Sequence, residues 1–271
     1  MNPSPFDLTG KVAVVTGGYG VLGGALASGL AAAGARIVVL GRRVDEAEAK
    51  AEEIRRAGGD AIALVADVLD ERQVKIARDA VMQKWDAVDM LINAACGNVA
   101  RARNDDRPVF DVPMDAFEEA LRLNLHGTVI PTLAFAEAMS SRKSGSVVNI
   151  SSMAAMRAIS GVLAYSIAKS GIDSFTRWMA VDLARRYGGG IRVNAVAPGF
   201  FITTQNRAVL IDSRGEYTSR ARKIVDSTPM GRFGSSEELV GAVQWLCSDA
   251  ASFVTGAVIP IDGGFSAFSG V

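Results

Sequence analysis

Tyr165 and Lys169 stand four residues apart in AYSIAKS, and Ser152 precedes the tyrosine by thirteen residues, in NISSM. On a helix, residues four apart share one face, one turn from each other. An ammonium beside a phenol favours the phenolate and draws its pKa down towards the range of a working acid–base catalyst. A bare YxxxK also occurs on solvated helix faces. The stretch TGGYGVLGG at 16–24 changes its weight. Gly17, Gly18, Gly20, Gly23 and Gly24 permit a tight turn and a close backbone approach to a pyrophosphate, whose charge a helix N-terminus stabilises. The alternative is a turn that only packs helix against strand. Because it lies between a strand pattern and a helix pattern, the stretch reads as a dinucleotide site. Together the two features predict hydride transfer between a nicotinamide and a carbonyl or alcohol.

These residues need elements to hold them. Continuous apolar, β-branched runs predict strands at Val12–Thr16, Arg36–Leu40, Ala61–Ala66, Met90–Asn93, Ser146–Ser151, Arg192–Ala197 and Val258–Ile261. Runs without polar alternation indicate a parallel sheet covered on both faces. Helix-length segments lie between them at 21–33, 44–57, 70–84, 114–140, 162–187 and 236–248, the last with a capping box at Ser235 and Glu238. Strand–helix alternation from end to end predicts a doubly wound α/β sheet in a single domain spanning 1–271. The segment 199–234 lacks clear periodicity and reads as a substrate lid. The polar stretch 97–112 is a second loop.

Composition narrows the function. The chain has 271 residues, 29 basic and 29 acidic, for a formal net charge of zero. That balance argues against a nucleic-acid footprint, and one or two local arginines still suffice for a small anion. Two cysteines, Cys96 and Cys247, and one histidine, His126, give no metal spacing or disulfide framework. His126 reads as core or cavity wall. The opening MNPSPFDLTGK shows no charged segment followed by an apolar run, so no signal peptide is expected. The apolar stretch 21–40 contains Arg36 and four glycines, and reads as a buried helix and strand rather than a membrane span. The cytoplasm is the expected location. No GxxxxGK[ST] points to a nucleoside triphosphate.

The second strand is followed by Gly41, Arg42 and Arg43, without the acid that would grip a ribose 2′-hydroxyl. Two guanidiniums suit a 2′-phosphate, so NADP(H) is the expected cofactor and NAD(H) the alternative. The alternative is that the arginines are solvated residues opening the next helix. Asp67 ends the third strand, as an acceptor for the adenine amine or as a turn cap. Asn93 ends the fourth strand, at the sheet edge where a dinucleotide lies. Asn124, in LNLHG, is a polar residue in an apolar helical pattern, placed to satisfy backbone or to bind a water.

With these residues in place, the chain resembles the short-chain dehydrogenase/reductase family from about Leu8 to its C-terminus. The resemblance rests on the glycine turn, ADV at 66–68, NAA at 93–95, Asn124, Ser152, Tyr165, Lys169 and Pro198-Gly199 followed by Thr203. It implies a sheet of order 3-2-1-4-5-6-7 and a homotetramer. Ser152 would hydrogen-bond the substrate oxygen, and Tyr165 would exchange a proton with it. Lys169 would hold the ribose and lower the tyrosine pKa, and Asn124 would anchor a water. Gly17 to Leu22 (with Tyr19 and Val21), Asp67, Val68, Asn93, Ala94, Ala95, Pro198 and Gly199 would line the cofactor. Backbone near Ile202 would meet the carboxamide, and Thr203 the phosphates. Two positions depart from the family pattern. Val21 replaces the middle glycine of TGxxxGxG, and Cys96 stands where NNAG has its glycine.

The strings TGGYGVLGGA, APGFFITTQNRAVL, TPMGRFGSSEEL and DGGFSAFSGV resemble a narrower group within that family, the D-mannonate oxidoreductases (fructuronate reductases), with gluconate 5-dehydrogenases as neighbours. That implies a sugar-acid substrate. Candidate contacts are Asn98, Arg101 and Arg103, Met153 and Arg157, and Gln205, Asn206 and Arg207, with Asn206 foremost; a guanidinium grips a carboxylate bidentately. A reductase of other polyols or ketones is the rival enzyme. A non-catalytic dinucleotide sensor on the same fold is the rival of another class.

Overall fold

The computed structural model describes residues 4–105, 107–204 and 206–270. The chain runs β1 (Val12–Thr16), α1 (Val21–Ala32), β2 (Arg36–Gly41), α2 (Val44–Arg56), β3 (Asp60–Val65), α3 (Glu71–Trp85) and β4 (Met90–Asn93). It continues with α4 (Met114–Leu121), α5 (Gly127–Arg142), β5 (Gly145–Ile150), α6 (Leu163–Tyr187), β6 (Ile191–Pro198), α7 (Arg207–Leu210), α8 (Ser219–Asp226), α9 (Val240–Cys247) and β7 (Val258–Ile261). All seven strands pair in parallel, in the order β3-β2-β1-β4-β5-β6-β7. Each expected strand is present to within one or two residues at its ends.

The inner strands feed two cores, because successive side chains point to opposite faces. Ala13 and Val15 of β1, Ile37 and Val39 of β2, and Ile92 of β4 meet Leu26 and Leu30 of α1 and Leu246 of α9. Val12 and Val14, Val38 and Leu40, and Leu91 meet Val74 and Val81 of α3, Phe135 and Met139 of α5, and Met179 and Leu183 of α6. A strand buried on both faces has no polar side to show, hence the unbroken apolar runs. No helix among the described residues is long and apolar enough to cross a membrane.

Two segments differ from expectation. The helix expected over 114–140 is three pieces: α4, a turn at Arg122–His126 widened to π spacing, and α5. Asn124 is buried in that turn, while His126 is exposed and forms neither core nor cavity wall. The segment 199–234 carries two short helices over a small core of Leu210, Ala221, Ile224 and Phe233. Its polar middle hid the amphipathic α8, which buries only Ala221 and Ile224. The expected capping box is present, with Ser235 N–H donating to Glu238 Oε2 at 2.9 Å. It opens a tight turn that leads into α9.

Candidate active site

The sheet order reverses between β1 and β4, and a cleft of about 290 Å³ opens beyond the C-terminal strand ends. Ligands of doubly wound sheets bind at such a switch point. One end of the cleft is the glycine turn. Gly17 has φ +62°, and a Cβ there would lie 2.9 Å from Ala95 Cα. A Cβ on Gly23 would lie 2.3 Å from Gly17 O. The two glycines therefore bring the turn against β4 and onto α1. Gly20 caps α1 with no side-chain bond, and the first turn carries no acid. The N–H groups of Val21, Leu22 and Gly23 thus head the helix with no side chain capping them, a cradle that fits a pyrophosphate. Val21, in place of the family glycine, lines the cleft with its side chain partly exposed.

The other end is chemical. Ser152 follows β5, and Tyr165 and Lys169 project from the first turns of α6. The Tyr165 hydroxyl lies beside Ser152, whose Oγ accepts Ala154 N–H at 3.1 Å. Lys169 is fully buried, donates from Nζ to Ile150 O at 2.6 Å, and lies 5.4 Å from the centroid of the Tyr165 ring. Burial pushes the Tyr165 phenol above its ordinary pKa, against the pull of the Lys169 ammonium and the Ser152 hydroxyl. The four-residue spacing alone predicts that the lysine dominates; desolvation of the phenolate outweighs it. One turn further along, the buried Asp173 carboxyl bonds Ser151 Oγ, and burial raises its pKa also.

Asn124 is anchored rather than open. Its Oδ1 accepts Gly97 N–H at 3.1 Å, and its Nδ2 donates to Gly97 O and Ala120 O, each at 2.9 Å. The amide so clamps Gly97, which lines the cleft. Asn93 lies in the core, where its Nδ2 donates to Thr132 Oγ1 at 2.8 Å and Asn149 Oδ1 at 2.9 Å. Asn149 Nδ2 extends this network to Thr176 at 2.9 Å. The buried ladder ties α5, β4, β5 and α6 beneath the site. Thr16 Oγ1 accepts Ala94 and Ala95 N–H, both at 3.1 Å, fixing the bend after β4. Neighbouring Cys96 is a free thiol in the cleft wall.

At the second strand, Tyr19 occupies the space a strand-end acid would use. A Cβ on Gly41 would lie 2.2 Å from Tyr19 Cε1. The Arg43 guanidinium stacks 4.8 Å from the Tyr19 ring centroid, pairs with Glu46 at 2.6 Å and lines the cleft. Arg42 instead lies 3.8 Å from Asp67 Oδ2, away from the cleft lining. Asp67 Oδ1 accepts Leu69 N–H at 3.0 Å, a turn cap, and Val68 is buried in the core.

Of the substrate candidates, Asn98, Arg103, Met153 and Asn206 line the cleft together with Ser152 and Tyr165. Arg101 is an exposed partner of Asp115, and Arg157 is turned away onto Ser266 O at 2.9 Å. Arg207 stays exposed at the start of α7, and Gln205 lies outside the described residues. Asn206 braces its own loop: Oδ1 accepts Thr203 N–H and Nδ2 donates to Phe201 O, each at 2.8 Å. Pro198, Gly199 and Thr203 line the cleft, whereas Ile202 packs against the core of 199–234. Sequence reasoning missed Arg220 of α8, which reaches the cleft from a stretch that reads as solvated.

The family described as enoyl-(acyl carrier protein) reductase matches residues 20–266. The chain is 42% identical over 281 residues to an uncharacterized oxidoreductase, UxuB, of Bacillus subtilis, covering 100% of both. A Haemophilus influenzae protein, provisionally assigned as a D-mannonate oxidoreductase and solved with bound NAD, is 40% identical, with a TM-score of 0.91 over 98% of each chain. A gluconate 5-dehydrogenase of Burkholderia cenocepacia, solved with NADP and tartrate, is 33% identical, with a TM-score of 0.87 over 97% of this chain and 98% of that one. The seven-strand order and these end-to-end matches make the chain a member of the short-chain dehydrogenase/reductase family, an oxidoreductase that acts on CH–OH groups with a nicotinamide cofactor.

Proposed function

We propose that this enzyme transfers hydride between nicotinamide and a keto sugar acid, interconverting D-fructuronate and D-mannonate. One observation carries the acid half of that reading. Among the described residues lining the cleft, the charged side chains are Arg43, Arg103 and Arg220, all cationic. The similarity to the Haemophilus influenzae protein supports the particular sugar acid. The tartrate complex of the Burkholderia cenocepacia relative favours a second reading, a gluconate 5-dehydrogenase activity.

When bound, the reduced cofactor supplies a hydride to the ketone carbon. The N–H groups of Val21, Leu22 and Gly23 would hold its pyrophosphate, Lys169 its ribose and Thr203 its phosphates. Ser152 Oγ orients the ketone oxygen. Tyr165 gives that oxygen its phenolic proton, so the reacting carbonyl becomes an alcohol. A phenol whose pKa is raised by burial holds that proton at neutral pH. Lys169 keeps the phenolate that results from being stranded in a dry site. Asn124 acts as a positioning residue, holding Gly97 in the wall.

NADP(H) is the favoured cofactor because Arg43 faces the cleft where a strand-end acid is missing. Its guanidinium, preset on Tyr19, would exchange Glu46 for a 2′-phosphate. The segment 199–234 serves as the lid, since Thr204, Val209 and Leu210 already line the cleft. The assembly is a homotetramer, supported by apolar side chains exposed on α5 and α6, Leu133, Trp178 and Val181.

Initial rates with D-fructuronate, 5-keto-gluconate and simple ketones, each with NADH and NADPH, test the reading. D-fructuronate with NADPH should give the highest kcat/KM. A simple ketone reduced more efficiently than either acid would end the sugar-acid assignment.

A further inference from the structure

Arg103 and Arg220 converge on one carboxylate. Arg103 donates from Nε to Asp105 Oδ2 at 2.7 Å and sets Nη2 2.6 Å from the same oxygen. Arg220 Nη1 lies 3.3 Å from Asp105 Oδ1, and its Nη2 donates to Ser160 O at 3.1 Å. Asp105 is itself seated in a fixed place. Asn104 N–H donates to Gly161 O at 3.2 Å, and Gly161 has φ +81°. A Cβ on Gly161 would lie 2.2 Å from Asp105 Oδ1, so only a glycine lets the carboxylate pack there. Three separate segments meet here: the loop after β4, the turn before α6 and the lid helix α8.

The charges do not cancel. Among the described residues, two guanidiniums share this one carboxylate, an excess of one positive charge beside the cleft that also holds Ser152 and Tyr165. Both arginines line that cleft, and their side chains are 25% and 32% exposed. A guanidinium has five N–H donors. Among the described residues, the contacts above use two of them on each side chain, so donors remain for a second carboxylate. Two cations held close by a shared counter-ion are expensive to leave without a further anion, and cheap to fill with one.

We infer that Arg103 and Arg220, held together by Asp105, form the clamp for the substrate's carboxylate and latch the lid as they do so. The inference rests on the sugar-acid reading above and names the residues that would enforce it. The ligand class is a hydroxy- or keto-carboxylate. The clamp separates acid from neutral sugar because a ketose with a hydroxymethyl group in that place leaves the excess charge unpaired. Arg220 also couples binding to the lid, since it rides on α8 while its partners do not.

The experiment compares the wild-type enzyme with Arg220→Gln, Arg103→Gln and Arg220→Lys. Two readouts are KM for D-fructuronate against KM for D-fructose, its uncharged counterpart, and the inhibition constant of tartrate. In Arg220→Gln the ratio of acid KM to neutral KM should rise about ten- to a hundredfold, the effect of losing hydrogen bonds between charged groups. Tartrate inhibition should weaken by a similar factor, with Arg220→Lys in between. The melting temperature and KM for the cofactor separate this from general damage, which would raise both sugar KM values together. An unchanged KM ratio together with unchanged tartrate inhibition in Arg220→Gln overturns the clamp. A wild type that reduces no keto acid, yet is inhibited by tartrate through Arg220, overturns the sugar-acid reading and keeps the clamp. Absence of both turnover and tartrate inhibition overturns the two together.

Discussion

At the floor of the cleft Lys169 has no exposed surface and is fixed by a 2.6 Å bond to a strand carbonyl, while at the mouth Arg220 keeps 32% of its side chain open and is held by ions and a loop carbonyl. The floor residues belong to one strand–turn–helix unit, β5 to α6, laid over the Asn93–Asn149–Thr176 ladder. The mouth joins three segments that are far apart in sequence. Floor bonds are shielded from water, so their geometry is insensitive to salt. Mouth bonds are partly solvated, so they exchange partners at small cost. In the proposed reading, the chemistry sits on the shielded floor and the choice of substrate at the partly solvated mouth.

The largest effect should come from breaking the floor. Tyr165→Phe removes the proposed proton donor and leaves the ring, so kcat should fall about 10²–10⁴-fold. Cofactor affinity, read by NADPH fluorescence, should stay within a few-fold. A variant that keeps more than about a tenth of the rate would move the proton donor elsewhere.

A smaller effect is expected at the cofactor end. Arg43→Ala removes the guanidinium that lines the cleft and should shift the NADPH-to-NADH affinity ratio several-fold towards NADH. Arg42→Ala, whose side chain faces Asp67 instead, should change the ratio less. Equal shifts in a direct binding titration would show that both arginines reach the phosphate. Placing an acid at Gly41 is not a clean version of this test, because its Cβ would strike Tyr19.

The subtlest difference is spectroscopic. Subtracting the ultraviolet titration of Tyr165→Phe from that of wild type, without cofactor, isolates one phenol out of four. Burial stabilises the neutral form, so ionisation should begin above the ordinary tyrosine value of about 10. The proton-donating form then persists throughout neutral pH, and is lost only as pH rises through that raised pKa. Ionisation below the ordinary value would mean that Lys169 outweighs burial.

The floor was legible in the sequence because its spacings are local: a tyrosine and a lysine four apart, a serine at a strand end, glycines between strand and helix. The sheet was legible because strands buried on both faces cannot alternate. Residues whose partners lie far along the sequence were not. Arg157 looked suited to the substrate until Ser266 O claimed it. Asn206 looked free until its own loop used both ends of its amide. Arg220 looked solvated, because nothing near it in sequence announces Asp105. Gly41 read as a missing acid, and the structure adds that Tyr19 fills the space.

The widened turn at Arg122–His126 acts as a phase shifter in an otherwise continuous rod running from Met114 to Arg142. An α-helix turns about 100° per residue, and the extra residue takes up that rotation between α4 and α5. Deleting any one residue there would let the rod heal into regular helix. Healing would improve the local hydrogen bonding and leave α4 and α5 in phase, while the side chains of the turn itself would be re-aimed. Asn124 would lose its grip on Gly97, and the cleft wall would lose its brace. The protein therefore tolerates single substitutions on the exposed side of this turn far more readily than a change in its length.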